Sequence, residues 1–346
     1  MAESYVKILG YELRELKVLG ETDFATSYLA ESKDGKKYVV KRFHIERINP
    51  AHLSIIFNNN KFIKEAVENH RYAEGCKNVR EIYAVGNKLE PYIISEYLAY
   101  NLEEYMEKRK ISIEQAIRIS LDVARCLKFI FEKSKIECHG DICPKNIFID
   151  EVNGELMVKV GDFDGALTTD RSIQQVLTHT RYRPPELGAL TLDMLKERKF
   201  DVYSLGLILA ELVAGPPAVD SILSKGPSAI DRVIANEEIR EIVRDAIKPH
   251  SERMRLEKFI ERLESLEKPL LPLPVKTILQ VYLTNLEELQ RKLKAGQAMT
   301  DSDKEKYKKL SGAWPKIEKL MELYEKREKE EVKRLSEELN RELSYL

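Results

Sequence analysis

The sequence predicts an α+β chain made of a small antiparallel, strand-rich lobe, a larger helical lobe and a helical C-terminal extension. Three observations lead there. Short apolar runs separated by turn residues fill the stretch up to Tyr97, helix-period runs dominate the chain beyond it, and Pro269-Leu270-Leu271-Pro272-Leu273-Pro274 sets off a highly charged tail. The expected divisions are residues 11–97, 98–266 and 267–346.

Leu16 to Gly20 reads as a strand entering a turn, and Ala25 to Ala30 as its return. Asp34-Gly35 is a hairpin signal, because both residues tolerate the positive φ such turns need. Tyr38 to Phe43 is the next strand, and Tyr92 to Tyr97 is a buried one closing the small lobe. Between them, Asn60 to Glu74 reads as a helix with Phe62, Ala66 and Val67 on one side. In the large lobe, Ile117, Leu121, Ala124 and Leu127 recur at helical spacing, which predicts an amphipathic helix over Ile113 to Lys133. Val202 to Val213 is apolar nearly all round, as a helix enclosed by others must be. In the tail, Ile317, Met321, Tyr324, Leu335, Leu339 and Leu343 form a stripe between dense Lys and Glu, with Glu328 interrupting it. That pattern predicts a helical hairpin docked on the large lobe, with a coiled-coil or partner-binding arm as the alternative.

Composition narrows the partners. Lys and Arg (57) nearly balance Asp and Glu (58), so no global field draws the chain to nucleic acid or a membrane surface. There is no apolar leader before Tyr11, no run of 18 apolar residues and no ligand-like spacing of the four cysteines. The expectation is a soluble, cytoplasmic protein with reduced thiols.

The chemistry concentrates in His139-Gly140-Asp141-Ile142-Cys143-Pro144-Lys145-Asn146 and Gly161-Asp162-Phe163-Asp164. Two carboxylates and a carboxamide on short loops beside apolar runs are what metal-assisted phosphoryl transfer requires. These motifs resemble the catalytic and metal-binding loops of the eukaryotic-type protein kinases, a family with a two-lobe fold. The resemblance extends to Tyr38-Val39-Val40-Lys41, to Arg183-Pro184-Pro185-Glu186, to Asp201-Val202-Tyr203-Ser204-Leu205-Gly206 and to Arg253. It covers residues 11–266 and implies ATP and Mg²⁺ as cofactors and a protein hydroxyl as acceptor.

Carried over residue by residue, the resemblance makes Asp141 the group that orients the accepting hydroxyl. Lys41 becomes the ligand of the α- and β-phosphates, oriented by Glu65 on the following helix, with Glu68 as runner-up. Asn146 and Asp162 hold the metal. Gly20, Phe24, Val39, Ser95, Glu96, Leu98 and Phe148 surround the nucleotide. In that scheme Ser95 is a small residue opening a pocket behind the adenine, the backbone near Glu96 and Leu98 bonds the base, and Phe148 is its floor. A Glu186–Arg253 ion pair is expected to brace the substrate-binding segment.

The chain also departs from the pattern. Gly20-Glu21-Thr22-Asp23-Phe24-Ala25 keeps one glycine of the phosphate loop, which predicts weaker ATP binding. Gly140 stands where the family has an Arg that meets an activation-loop phosphate, so Thr178 or Thr180 would lack that partner. Cys143 replaces a Lys that contacts the γ-phosphate; an inert buried thiol is expected there rather than a redox target. Asp164 replaces a Gly and is expected to serve as a turn residue. The expected function is transfer of the γ-phosphoryl group to a protein Ser or Thr without the Arg-dependent route of activation. The alternatives are a nucleotide-binding pseudokinase or scaffold and a small-molecule kinase.

Overall fold

In the computed structural model, residues 5–152, 155–168, 180–186, 191–266, 273–294, 298–325 and 329–343 are described. Six antiparallel strands open the chain: β1 (Val6–Ile8), β2 (Tyr11–Glu21), β3 (Ala25–Ser32), β4 (Lys37–Phe43), β5 (Ile82–Val85) and β6 (Tyr92–Glu96). They lie in the order β1-β2-β3-β4-β6-β5. Strand period two decides which side chains face where. On β4, Tyr38 and Val40 join Leu13, Ala30 and Ile94 in a small core on one face, while Val39 and Lys41 point to the other, which lines a cleft.

Helix α1 spans Pro50–Asn69. It starts ten residues earlier than the sequence suggests, because Asn49 caps it by accepting from the Ala51 N–H at 2.8 Å and Pro50 fits the first turn. The Asn58-Asn59-Asn60 run, which resembles a helix start, is therefore its middle. The large lobe begins with β7 (Tyr100–Asn101), α2 (Leu102–Lys108) and α3 (Ile113–Lys133). For α3 the expected bounds hold: Ser112 and Gln115 form a capping box at its start, and its apolar stripe is buried against α5 (Phe200–Ala214) and α9 (Leu256–Leu266). Between α3 and α5 run β8 (Ile136–Cys138), β9 (Ile147–Val152), β10 (Glu155–Val160), β11 (Leu167–Thr168) and α4 (Leu192–Lys196). Helices α6 (Pro216–Lys225), α7 (Ile230–Val233) and α8 (Glu237–Ala246) follow α5.

The chain separates into two compact units, residues 1–266 and 267–346. The second holds α10 (Leu273–Lys294), α11 (Asp301–Glu325) and α12 (Lys329–Leu343). This corrects the expected hairpin: three helices share a core of their own, built from Ile278, Tyr282, Leu310, Ile317, Leu320 and Leu339. Thr178 and the Pro269–Pro272 stretch lie outside the described residues. Among the described residues, no helix is long and apolar enough to cross a membrane.

Candidate active site

The two polar loops meet because they flank the open end of one hairpin. Strands β9 and β10 pair with Ile147 opposite Val160, so Asn146 and Gly161 face each other just beyond the last pair. There the Gly161 N–H donates to the Asn146 carbonyl at 3.0 Å. Asp162, the next residue, is thereby delivered beside Asn146. Gly161 permits this approach: a Cβ there would lie 2.8 Å from the Arg80 Cδ and 3.1 Å from the Phe148 ring.

The His139–Asn146 loop is braced from below. Asp201, buried at the start of α5, accepts from the His139 N–H at 2.8 Å and the Gly140 N–H at 2.9 Å. His139, fully buried, bonds the Gly161 carbonyl through Nε2 at 3.1 Å and packs on Phe163. Gly140 has φ +78°, a backbone state that costs a side chain about 1–2 kcal/mol, so the missing Arg is matched by a residue that adopts the turn freely. Beyond it, the Asn146 carboxamide donates to the Asp141 carbonyl at 2.8 Å and its carboxylate at 3.0 Å. That spends the Asn146 nitrogen and leaves its oxygen for a cation.

Asn146, Gly161 and Asp162 border a cleft of 580 Å³, within the range of small-molecule sites, while Asp141 reaches its edge only through Asn146. Lys41, Asn146, Asp162, Gly20, Val39, Ser95, Leu98 and Phe148 all line it. Lys41 Nζ sits 3.0 Å from Asp162 Oδ1 and 2.6 Å from Asp164 Oδ2. Burial alone would lower the ammonium pKa, but the two carboxylates outweigh it and hold it above the usual lysine range. Burial likewise would raise Asp162, and Lys41 reverses this so that its carboxyl stays below the ordinary value and ionised. Asp162 has φ +62°, a conformation rare outside Gly, Asn and Asp.

Three expected positions are corrected. Glu65 does not meet Lys41: five residues at about 100° each turn it roughly 140° from Asn60, which faces the cleft, and Glu65 is exposed. Glu68, the runner-up, pairs instead with Lys64. Phe24 is 38% exposed and does not line the cleft; its carbonyl is held by the His44 N–H at 2.8 Å. Asp164 is no simple turn residue, since its carboxylate holds both Lys41 and Asn60.

Arg80 was missed by sequence reasoning. Its guanidinium carbon stacks 4.1 Å over the Phe148 ring, and its Nε donates to the Glu96 carbonyl at 2.8 Å. The Glu96 N–H donates to Glu81, and the Glu96 carboxylate pairs with Lys159 at 2.7 Å. Both backbone groups of Glu96 thus have protein partners, and Arg80 joins Ser95 and Phe148 in lining the cleft. Burial pushes the Arg80 pKa down to about 10. Cys143 is buried, and burial pushes its thiol up to about 12, which makes it a poor nucleophile.

The Gly20–Ala25 turn has its own hydrogen bonding. The Thr22 hydroxyl accepts from the Ala25 N–H at 3.1 Å and the Phe24 N–H at 3.4 Å. Amides that a glycine loop would offer to phosphate are therefore satisfied within the turn. Replacing Thr22 with Gly should release them and tighten Mg-ATP binding about threefold to tenfold, the worth of one net hydrogen bond. Calorimetric titration of the variant beside the wild type checks this; equal or weaker binding would show the turn to be irrelevant to phosphate.

A family model described as the protein kinase domain matches residues 13–280. The chain is similar to the "Probable serine/threonine-protein kinase glkA" of Dictyostelium discoideum, 27% identical over 61% of this chain and 41% of that protein. It is 29% identical to dual specificity tyrosine-phosphorylation-regulated kinase 2 of Drosophila melanogaster, over 48% of this chain and 24% of the relative. With the serine/threonine/tyrosine-protein kinase HT1 of Arabidopsis thaliana the identity is 33% over 39% of this chain and 34% of the relative. The chain thus spans less than two thirds of the length of these curated relatives. Since the family model takes in most of the 346 residues, the chain belongs to the protein kinase domain family.

Proposed function

We propose that this chain is an ATP-dependent protein kinase that transfers the γ-phosphoryl group to a protein hydroxyl, Ser or Thr. The observation that carries this reading is the convergence on one cleft of Lys41 from β4 with Asn146 and Asp162, which flank the open end of the β9–β10 hairpin. Lys41 would bind the phosphates. Asp141, joined to Asn146 by two hydrogen bonds, would orient the acceptor hydroxyl and take its proton. Val39, Ser95, Leu98 and Phe148 would enclose the base.

The residues suit Mg²⁺. Among the described residues there is no cluster of three His, Cys, Asp or Glu side chains that would form an all-protein cage. A carboxylate and an amide oxygen beside a phosphate-binding lysine match the way this hard ion is held, with substrate oxygens and waters completing its shell. Asp162 and Asn146 would hold it, and when bound it supplies charge neutralisation on the phosphates. The Glu186–Arg253 pair, carried over from the activation segment of the family, favours a protein acceptor over a small metabolite. The curated relatives are named as serine/threonine, dual-specificity or mixed kinases, and the Ser/Thr assignment here follows the first group.

A second reading, nucleotide binding without transfer, is favoured by the Thr22 turn and by Cys143 in place of a lysine. Incubation with Mg-ATP carrying labelled γ-phosphate, generic basic and acidic protein acceptors and simple sugars or amines separates the readings. Label on Ser or Thr of protein is the expected result. Label confined to tyrosine or to a small molecule would refute the acceptor assignment, and ATP binding with no transfer would favour the second reading.

A further inference from the structure

The partner of Lys41 comes from an unexpected place. Lys41 Nζ approaches Asp164 Oδ2 at 2.6 Å, closer than Asp162 at 3.0 Å. The other Asp164 oxygen accepts from Asn60 Nδ2 at 2.9 Å. Asn59, fully buried, donates to the carbonyls of Phe163, Asp164 and Ala166 at 3.1, 3.3 and 2.9 Å. Both asparagines lie in mid α1, while Glu65 and Glu68, the acidic residues of that helix, are exposed. Helix α1 therefore contributes neutral amides to this cluster, and the carboxylate comes from the loop.

A lysine on its flexible four-carbon stem takes its direction from the groups it pairs with. Asp162 is committed to the metal in the proposed reading, so Lys41 would lose its orientation there without a second carboxylate. We propose that Asp164, seated on Asn60, is the positioning residue that aims Lys41 at the nucleotide phosphates, in place of a carboxylate from α1. This rests on the kinase reading above. Its consequence is that the aim of Lys41 travels with the 162–164 loop, and α1 contributes only by gripping that loop through Asn59 and Asn60.

Three variants test the assignment: Asp164→Asn, Asp164→Gly, and Asp164→Gly combined with Asn60→Glu. Asp164→Asn retains the shape and a group for Asn60 to bond, so it controls for folding, and thermal melting checks all three. We expect both single variants to weaken ATP binding about tenfold, the worth of a charge-assisted hydrogen bond, with and without Mg²⁺. The KM for Mg-ATP should rise in parallel. The helix carboxylate of the double variant should restore binding to within about threefold. Unchanged binding in Asp164→Asn, or no rescue by Asn60→Glu in a folded double variant, would overturn the proposal. A loss confined to the Mg²⁺ complex would make Asp164 a metal ligand and overturn it equally. Because binding is read apart from turnover, a wild type that binds ATP but transfers nothing refutes the kinase reading alone.

Discussion

Asp162→Asn should lower phosphoryl transfer by roughly 10³-fold or more, the scale on which a single preorganised charge-stabilising group contributes to a transition state. Asn is the informative replacement. It tolerates the φ of +62° at this position, whereas Ala would add about 1–2 kcal/mol of backbone strain and blur the result. It also keeps a polar atom near Lys41 Nζ while removing the charge. Melting should therefore change little while turnover collapses, and the loss should centre on kcat because Lys41, with Asp164 beside it, still reaches the phosphates. Initial rates across a Mg-ATP series check this. A variant within tenfold of the wild type would remove Asp162 from the metal site.

Arg253→Ala should unfold the large lobe far more readily. The Arg253 side chain is fully buried, grips both oxygens of Glu186, donates to the Lys248 carbonyl at 3.0 Å and the Lys199 carbonyl at 3.2 Å, and lies over the Tyr203 ring. Each nitrogen of the guanidinium fork is directed at a partner, so truncation strands a half-buried carboxylate and two carbonyls. Breaking one side of such a pair costs about 3–5 kcal/mol, or roughly 10 °C in Tm for a domain of this size. Removing Glu186 as well should recover part of the loss, because no charge is then left unpaired. Differential scanning calorimetry of the two variants measures both effects; a single-variant shift of a degree or two would show the pair to be ornamental.

How much of this is legible in the sequence depends on whether local pattern or tertiary contact sets each feature. Helix α3 is readable to the residue because a sustained apolar period begins at a Ser112-x-x-Gln115 box, and both signals are local. The polar motifs are readable because their order along the chain is unusual. The register of α1 is not, since Asn58-Asn59-Asn60 looks like a helix start when its partners, the carbonyls of the 163–166 loop, are a hundred residues away. Glu65, expected from the resemblance to pair with Lys41, lies on the exposed side of the same helix. Arg80 is hidden for a similar reason. In Val79-Arg80-Glu81-Ile82 an arginine looks like a solvated charge, and only the stacking on Phe148 and the bond to Glu96 reveal it as part of the cleft. A chain-local signal does exist for Thr22, whose hydroxyl can cap its own turn. The first helix of the C-terminal unit is invisible in the stripe from Lys316 onward, because Ile278, Tyr282 and Leu289 of α10 lie before it.

Asp141, Asn146, Asp162 and Lys41 are assigned together to a phosphoryl-transfer centre, and that assignment is the one to test most directly. The measurement is intact-mass and peptide mapping after incubation with Mg-ATP and an acceptor protein, wild type beside Asp141→Asn. Phosphate on Ser or Thr is expected with the wild type and almost none with the variant, while both bind ATP alike. Equal phosphorylation by the two, or none by a wild type that binds ATP, would contradict the assignment.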